Sequence, residues 1–198
     1  WNPPLPSEGG GHSVSWGSPV PFPRVIGVWG GIPAIEDWLI EAMLQGALVL
    51  VHSPEHHYQQ HLERLEQQGF CTPQEKSLLL ERLRPVDQPG DLAAAELVFL
   101  APQYHPGELC RYFDPASLLV LVQPVGRTPL PPMTPTYNTI VRPQRVVRLS
   151  FLHTRQVAVV PEEAVDEASL QRLVSWFQQG DYAVVVFPAD ARILASAA

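Results

Sequence analysis

Cysteine is scarce: Cys71 and Cys110 are the only two in 198 residues. Two cysteines build neither a disulfide scaffold nor a cysteine zinc site, and they point to a reducing compartment, read here as the cytoplasm. Basic residues are in deficit, with 13 Lys and Arg against 20 Asp and Glu and a formal charge of −7. Nucleic-acid binding needs clustered cations, so that partner class is excluded. No apolar run approaches the roughly 20 residues of a membrane-spanning helix. The first residues show no basic stretch followed by an apolar core, so no secretory leader is expected. Walker loops, G-x-S-x-G elbows and C-x-x-C pairs are absent. Proline, in contrast, is abundant at 22 residues, in a composition that is 45% hydrophobic and 17% charged. Such a balance specifies a globular chain with enough apolar residues for a sizeable core.

Prolines concentrate at two places. Residues 1–23, WNPPLPSEGGGHSVSWGSPVPFP, form an N-terminal arm without periodicity. The arm carries Trp1, Leu5, Trp16 and Phe22 as apolar anchors, suited to lying across the domain or a neighbouring copy. Residues 128–135, TPLPPMTP, read as an extended connector inside a domain spanning 24–198. Between them, apolar runs and helical stripes alternate. The runs at 24–29, 47–51, 97–101, 118–122, 145–149, 157–160 and 183–187 read as strands. Helical spacing covers 33–45, 55–68, 72–83 and 162–179, with Thr72 and Glu75 at capping-box spacing. This alternation predicts an α/β fold, a doubly wound and mainly parallel Rossmann-like sheet with helices on both faces.

The first strand leads through a glycine cluster, Gly27-Val28-Trp29-Gly30-Gly31-Ile32, into a helix and a second strand. A dinucleotide-binding G-x-G-x-x-G fingerprint belongs in that context. With Gly27 in the first place, Trp29 falls on the second and Ile32 on the third. The second glycine lets the backbone approach a pyrophosphate, and a tryptophan obstructs it. The second strand ends in His52-Ser53, where a ribose-binding acid is wanted. If the Trp29 side chain swings out, a dinucleotide fits; if it fills the crevice, none does. The expectation is a retained shape without the cofactor, with NAD(P) binding as the alternative.

Other residues are weighed against ordinary structural roles. His57 and His61 stand at i, i+4 spacing, which suits a metal ion, but no third ligand follows at defined spacing, so no metal site is assigned. Glu36 and Asp37 open a helix and complement its dipole. His105 follows a strand end that lines the crevice of a doubly wound sheet, which makes it the best-placed histidine for a ligand. Cys110 lacks an activating partner and reads as a structural thiol.

The order of elements resembles the NAD-binding domain of the 3-hydroxyacyl-CoA dehydrogenase family. ALVLVHSPE, GDLAAAELVFLAP, RLSFLHT and the segment from Leu170 to Ala198 carry the likeness. RLSFLHT looks like the family's L-H-F-F-N-P segment, and that correspondence puts the family's catalytic histidine on Ser150 and the following asparagine on His153. The likeness also implies a substrate-contacting serine near Gly126-Arg127-Thr128 and an orienting glutamate near the end of LVFLA, where Leu97 to Gln103 contains no acid. A helical C-terminal domain follows in that family, whereas here the sequence stops after RILASAA, as in an excised domain or one without its substrate half.

The combined expectation is a non-catalytic Rossmann-like domain, a pseudoenzyme that binds a protein partner or its own copy. An NAD(P)-dependent oxidoreductase domain and a small-ligand sensor are the rivals. The crevice residues are Gly27, Trp29, Gly30, Gly31, His52 and Ser53, with His105, Ser150 and His153 as further candidates.

Overall fold

The computed structural model describes residues 20–53, 55–123, 145–153, 155–162 and 165–187. The arm before residue 20, the 128–135 connector and the 126–128 segment lie outside the described residues. Among the described residues, eight strands form one sheet in the order β3-β2-β1-β4-β5-β6-β7-β8. They are β1 (Val25–Trp29), β2 (Leu48–His52), β3 (Leu83–Pro85), β4 (Leu97–Leu100), β5 (Leu118–Val122), β6 (Val146–His153), β7 (Gln156–Pro161) and β8 (Ala183–Val186). All neighbours are parallel except β6 and β7, an antiparallel hairpin with a register shift between Phe151 and His153. The first six strands follow the order 3-2-1-4-5-6 of dinucleotide-binding sheets, so the chain reverses direction between β1 and β4 and leaves a crevice at their carboxyl ends.

Continuous apolar runs form the central strands because both faces of a parallel sheet are covered. The predicted helices appear as α1 (Glu36–Leu44), α2 (His57–Gln67), α3 (Pro73–Arg82) and α5 (Glu167–Gln179), with a four-residue α4 (Pro106–Leu109). Thr72 and Glu75 make the expected capping box on α3, and the bond from the Thr72 backbone N–H holds the Glu75 carboxyl below its usual range. One expected boundary is corrected. The last helix starts at Glu167 and not at 162, because the Asp166 carboxylate caps it by accepting from the Ser169 N–H at 2.8 Å. Glu162 is instead drawn to Arg148, Nε to Oε1 2.5 Å. The short β3 was not foreseen, since Leu-Arg-Pro carries no strand pattern.

The two faces are covered unequally. Ile26, Val28, Val49, Val51, Phe99 and Val120 face α1, α2 and α5 through Trp38, Tyr58, Leu62, Leu173 and Phe177. Opposite them, Trp29, Leu50, Val98 and Leu119 are covered by Leu92, Ala95, Leu109 and Phe113 from short turns and α4. Helices therefore lie on both faces, but the long ones gather on one. The second half of the chain is locked to the first by aromatic packing. Trp38 of α1 stacks on Phe177 of α5 at 5.2 Å and meets Phe99 edge-on at 5.4 Å, and its Nε1 donates to the Trp176 carbonyl at 3.1 Å. Among the described residues, no helix is long and apolar enough to cross a membrane.

The end of the N-terminal arm is docked. Trp176 Nε1 donates to the Pro21 carbonyl at 2.8 Å, and Gln179 Nε2 donates to the Val20 carbonyl at 2.7 Å. Val20 and Phe22 pack on the larger core cluster, Phe22 with its ring 5.9 Å from Trp38. Because Phe22 is half-buried, Phe22→Ala is expected to cost about 1–2 kcal/mol, below the ~3–5 of a fully buried Phe. Deleting residues 1–22 removes these contacts as well, and thermal denaturation of both variants should show lowered melting temperatures, at roughly 2–4 °C per kcal/mol.

Candidate functional site

Strand register builds the crevice wall. Trp29 and His52 are partners across β1 and β2 and lie on the same face. Their rings are therefore held side by side, stacked with centroids 3.9 Å apart and planes 13° from parallel. His52 Nδ1 lies 3.1 Å from the Val86 carbonyl oxygen just beyond β3, which fixes the ring. Tyr104, after β4, closes the other side and meets Trp29 edge-on at 6.2 Å. Trp29 is only 6% exposed. Three side chains thus fill the space at the carboxyl ends of β1, β2 and β4.

The turn that follows Trp29 is tied down as tightly. Gly30 donates its N–H to the His52 carbonyl at 2.7 Å. The Tyr58 hydroxyl of α2 donates to the Gly30 carbonyl at 2.9 Å and accepts from the Ile32 N–H at 3.1 Å. Burial holds the Tyr58 phenol well above its ordinary range, so it stays protonated and able to donate. Gly30 has φ +100°, and a Cβ there would stand 2.6 Å from Ala101 Cβ and 2.7 Å from Tyr104 Cε2. A Cβ on Gly31 would meet His57 Cδ2 at 2.4 Å. The glycines thus make room for the chain's own side chains.

Of the expected crevice residues, Trp29, Gly30, Gly31 and His52 come together, and Ser53 Oγ accepts from the His57 N–H at 3.4 Å beside them. Gly27 does not join them. It lies on the same face as Trp29 but two residues back along β1, where a Cβ would touch Ala95, Leu92 and Val98 at 3.3 Å. His105 serves as the cap of α4, its Nδ1 accepting from the Gly107 N–H at 3.2 Å. Ser150 sits mid-strand in β6 opposite Ala158, three strands from β1 and so roughly 14 Å away. His153 ends the same strand, and its side chain lies outside the described residues. Cys110 is half-buried, with Sγ 3.9 Å from the Gly107 carbonyl, and burial pushes its thiol pKa up, away from nucleophile behaviour.

Tyr58, Tyr104 and His57 were missed as site residues. Tyr58 and Leu62 form an i, i+4 apolar pair legible as core, but nothing in the sequence says where the hydroxyl points. His57 and His61 do not converge on a metal: His57 Nε2 meets Glu55 at 2.6 Å, while His61 meets Glu36 at 3.0 Å and Asp37 at 3.2 Å. No group of three or more His, Cys, Asp or Glu suited to a metal occurs among the described residues.

No protein-family model and no curated protein matches the chain. Solved structures do. M. tuberculosis FadB2 shares 23% identity at TM-score 0.67, and (S)-3-hydroxybutyryl-CoA dehydrogenase PaaH1 of Ralstonia eutropha shares 12% at 0.65; in both comparisons 84% of this chain aligns with 64% of the other. The 3-hydroxyacyl-CoA dehydrogenase of Archaeoglobus fulgidus shares 13% at 0.56, with 85% of this chain aligned to 57% of that one. The chain therefore has the fold of the nucleotide-binding domains of 3-hydroxyacyl-CoA dehydrogenase-type enzymes, and spans less than two thirds of the length of those three proteins.

The turn depends on one hydroxyl. Tyr58→Phe leaves the buried Gly30 carbonyl and Ile32 N–H without their partner, and should cost about 1–3 kcal/mol in urea denaturation with an unchanged slope.

Proposed function

We propose that the chain is a non-catalytic Rossmann-like domain whose nucleotide crevice is closed by its own side chains, acting as an interaction module in a larger protein or assembly. A protein partner or a second copy of the chain is its counterpart. The carrying observation is the burial of Trp29 between His52 and Tyr104 at the switch point of the sheet. A bound dinucleotide needs that space and the backbone N–H groups of the turn. Here the Ile32 N–H is committed to Tyr58. The entry to α1 is also unsuited to a pyrophosphate. It begins with Pro33, which has no N–H, in a 3-10 turn, and Glu36 and Asp37 occupy the first helical turn. Carboxylates there take up the positive end of the helix dipole and repel an anion.

The chemistry is as poorly provided for as the binding. The resemblance places the family's proton-accepting histidine on Ser150, a hydroxyl with no useful basicity near neutral pH. Leu97–Gln103 contains no acid to orient a base. The fold likeness to dehydrogenases supports a second reading, an NAD(P)-dependent oxidoreductase domain, and that reading requires Trp29 and Tyr104 to move aside for the cofactor.

Calorimetric titration separates the two. NAD and NADH are expected to show no dissociation constant below about 100 μM, equivalent to roughly −5.5 kcal/mol. Neither should raise the melting temperature, whereas a ligand at 100 times its dissociation constant would add about 2.7 kcal/mol. Tighter binding, or 3-hydroxyacyl-CoA oxidation that Ser150→Ala abolishes, establishes the oxidoreductase reading instead.

A further inference from the structure

The sheet ends in two unlike edges. On one side, β3 is three residues long and includes Arg84 and Pro85, a charge and a missing N–H that discourage further pairing. On the other, β8 reads Ala-Val-Val-Val, carries no charge, and among the described residues pairs with β7 alone. Ala183 and Phe187 donate their N–H groups toward β7, to the Arg155 carbonyl at 2.8 Å and the Val159 carbonyl at 2.9 Å. Backbone groups alternate in direction along a strand, so Val184 and Val186 turn their N–H and C=O groups away from β7, to the open side. The edge is apolar as well, with Val185 36% and Val186 45% exposed. Such an edge is a template for one more strand.

The chain within reach of this edge is the protein's own N-terminal arm. Its docked end, Val20, accepts a hydrogen bond from Gln179, and Gln179 stands four residues before β8 begins. Within an arm that has no overall period, Ser13-Val14-Ser15-Trp16 alternates polar and apolar residues and is uncharged, as β8 is. Gly17-Ser18-Pro19 separates Trp16 from Val20. Four residue steps reach roughly 14 Å at most, well beyond the ~4.8 Å between neighbouring strands. We propose that the outer edge of β8 is a strand-addition site occupied by residues 13–16 of the arm, antiparallel to β8, with Trp16 opposite Val184 and Val14 opposite Val186.

Direction and register follow from the connection and the faces. Val20 sits at the end of α5, where β8 starts, so the chain traced back from Val20 meets the start of β8 first and runs against it. Val184 packs on the larger core cluster, on the side of α5, and Val186 lies on the same face two residues on. Residues opposite each other in an antiparallel pair share a face. Val14 and Trp16 therefore extend the apolar side, and Ser13 and Ser15 fall on the other. Because Val184 and Val186 hold the open backbone groups, Val14 and Trp16 are the arm residues whose N–H groups face β8, and the Ser15 N–H faces solvent.

Strand addition at β8 goes beyond the closed-crevice reading and stands whether or not a dinucleotide binds. Amide hydrogen exchange of the full chain, read by NMR as protection factors, tests it at a concentration where the solution mass is that of one chain. In the unmodified protein, Val184 and Val186 are expected to be protected about tenfold or more. Val14→Pro removes an N–H that faces β8 and should lower both protection factors about tenfold or more. Val185, bonded toward β7, should keep its protection in that variant and so report an intact sheet. Ser15→Pro should leave Val184 and Val186 within about twofold, because its N–H faces solvent and proline favours an extended residue before it. Unprotected Val184 and Val186 in the unmodified protein overturn the pairing. So does protection that grows with concentration alongside a doubled mass, which assigns the edge to a second copy, protection untouched by Val14→Pro, or an equal loss in Ser15→Pro.

Discussion

The hydroxyl of Tyr58 is the point on which the crevice region depends. It is buried, protonated and bonded on both sides, donating to Gly30 and accepting from Ile32. A turn at the carboxyl end of a parallel strand has backbone polar groups that need partners once they leave water. In dinucleotide-binding sheets a phosphate takes such N–H groups. Here a side chain from α2 takes one of them, the Ile32 N–H. The position of α2, the burial of Trp29 and the shape of the α1 entry all accord with that substitution.

The aromatic filling has the same logic. Trp29 stands where close approach of a pyrophosphate would call for glycine, and a large side chain there must go somewhere. Parallel register carries it onto His52, and the β4 end supplies Tyr104 as the opposite wall. Stacked and edge-on contacts of this sort stabilise by about 0.5–1.5 kcal/mol each beyond the area they bury. A Cβ at Gly30 or Gly31 would clash with Ala101 and Tyr104 or with His57. Glycines that resemble a nucleotide fingerprint thus serve self-packing.

A second consequence concerns the long helices. With α1, α2 and α5 on one face, the aromatic group of Trp38, Phe99, Phe177 and Tyr182 joins the first and last parts of the chain. The docked end of the N-terminal arm extends the same group through Phe22. Tension between local and long-range preference shows at Glu162. The acidic run 162–167 is a good helix start by charge alone, yet the ion pair with Arg148 keeps Glu162 with the sheet and the helix begins at Glu167, capped by Asp166.

Local chemistry in the sequence determined much of this protein. Apolar runs longer than a hairpin strand's alternation specified buried parallel strands, helical stripes specified the intervening helices, and Thr72 with Glu75 specified a cap. Trp29 set a large aromatic ring at the end of the first strand. Tertiary structure alone decided the rest, because the rest depends on which residues distant in sequence meet. Register brought His52 onto Trp29. Helix placement aimed Tyr58, 26 residues beyond Ile32, at the turn, and set His61 between two carboxylates and not beside His57 at a metal. The three-residue β3 exists only because β2 offers it an edge to pair with. Spacing along a chain reports the faces of single elements; the partner across a gap is set by how those elements pack.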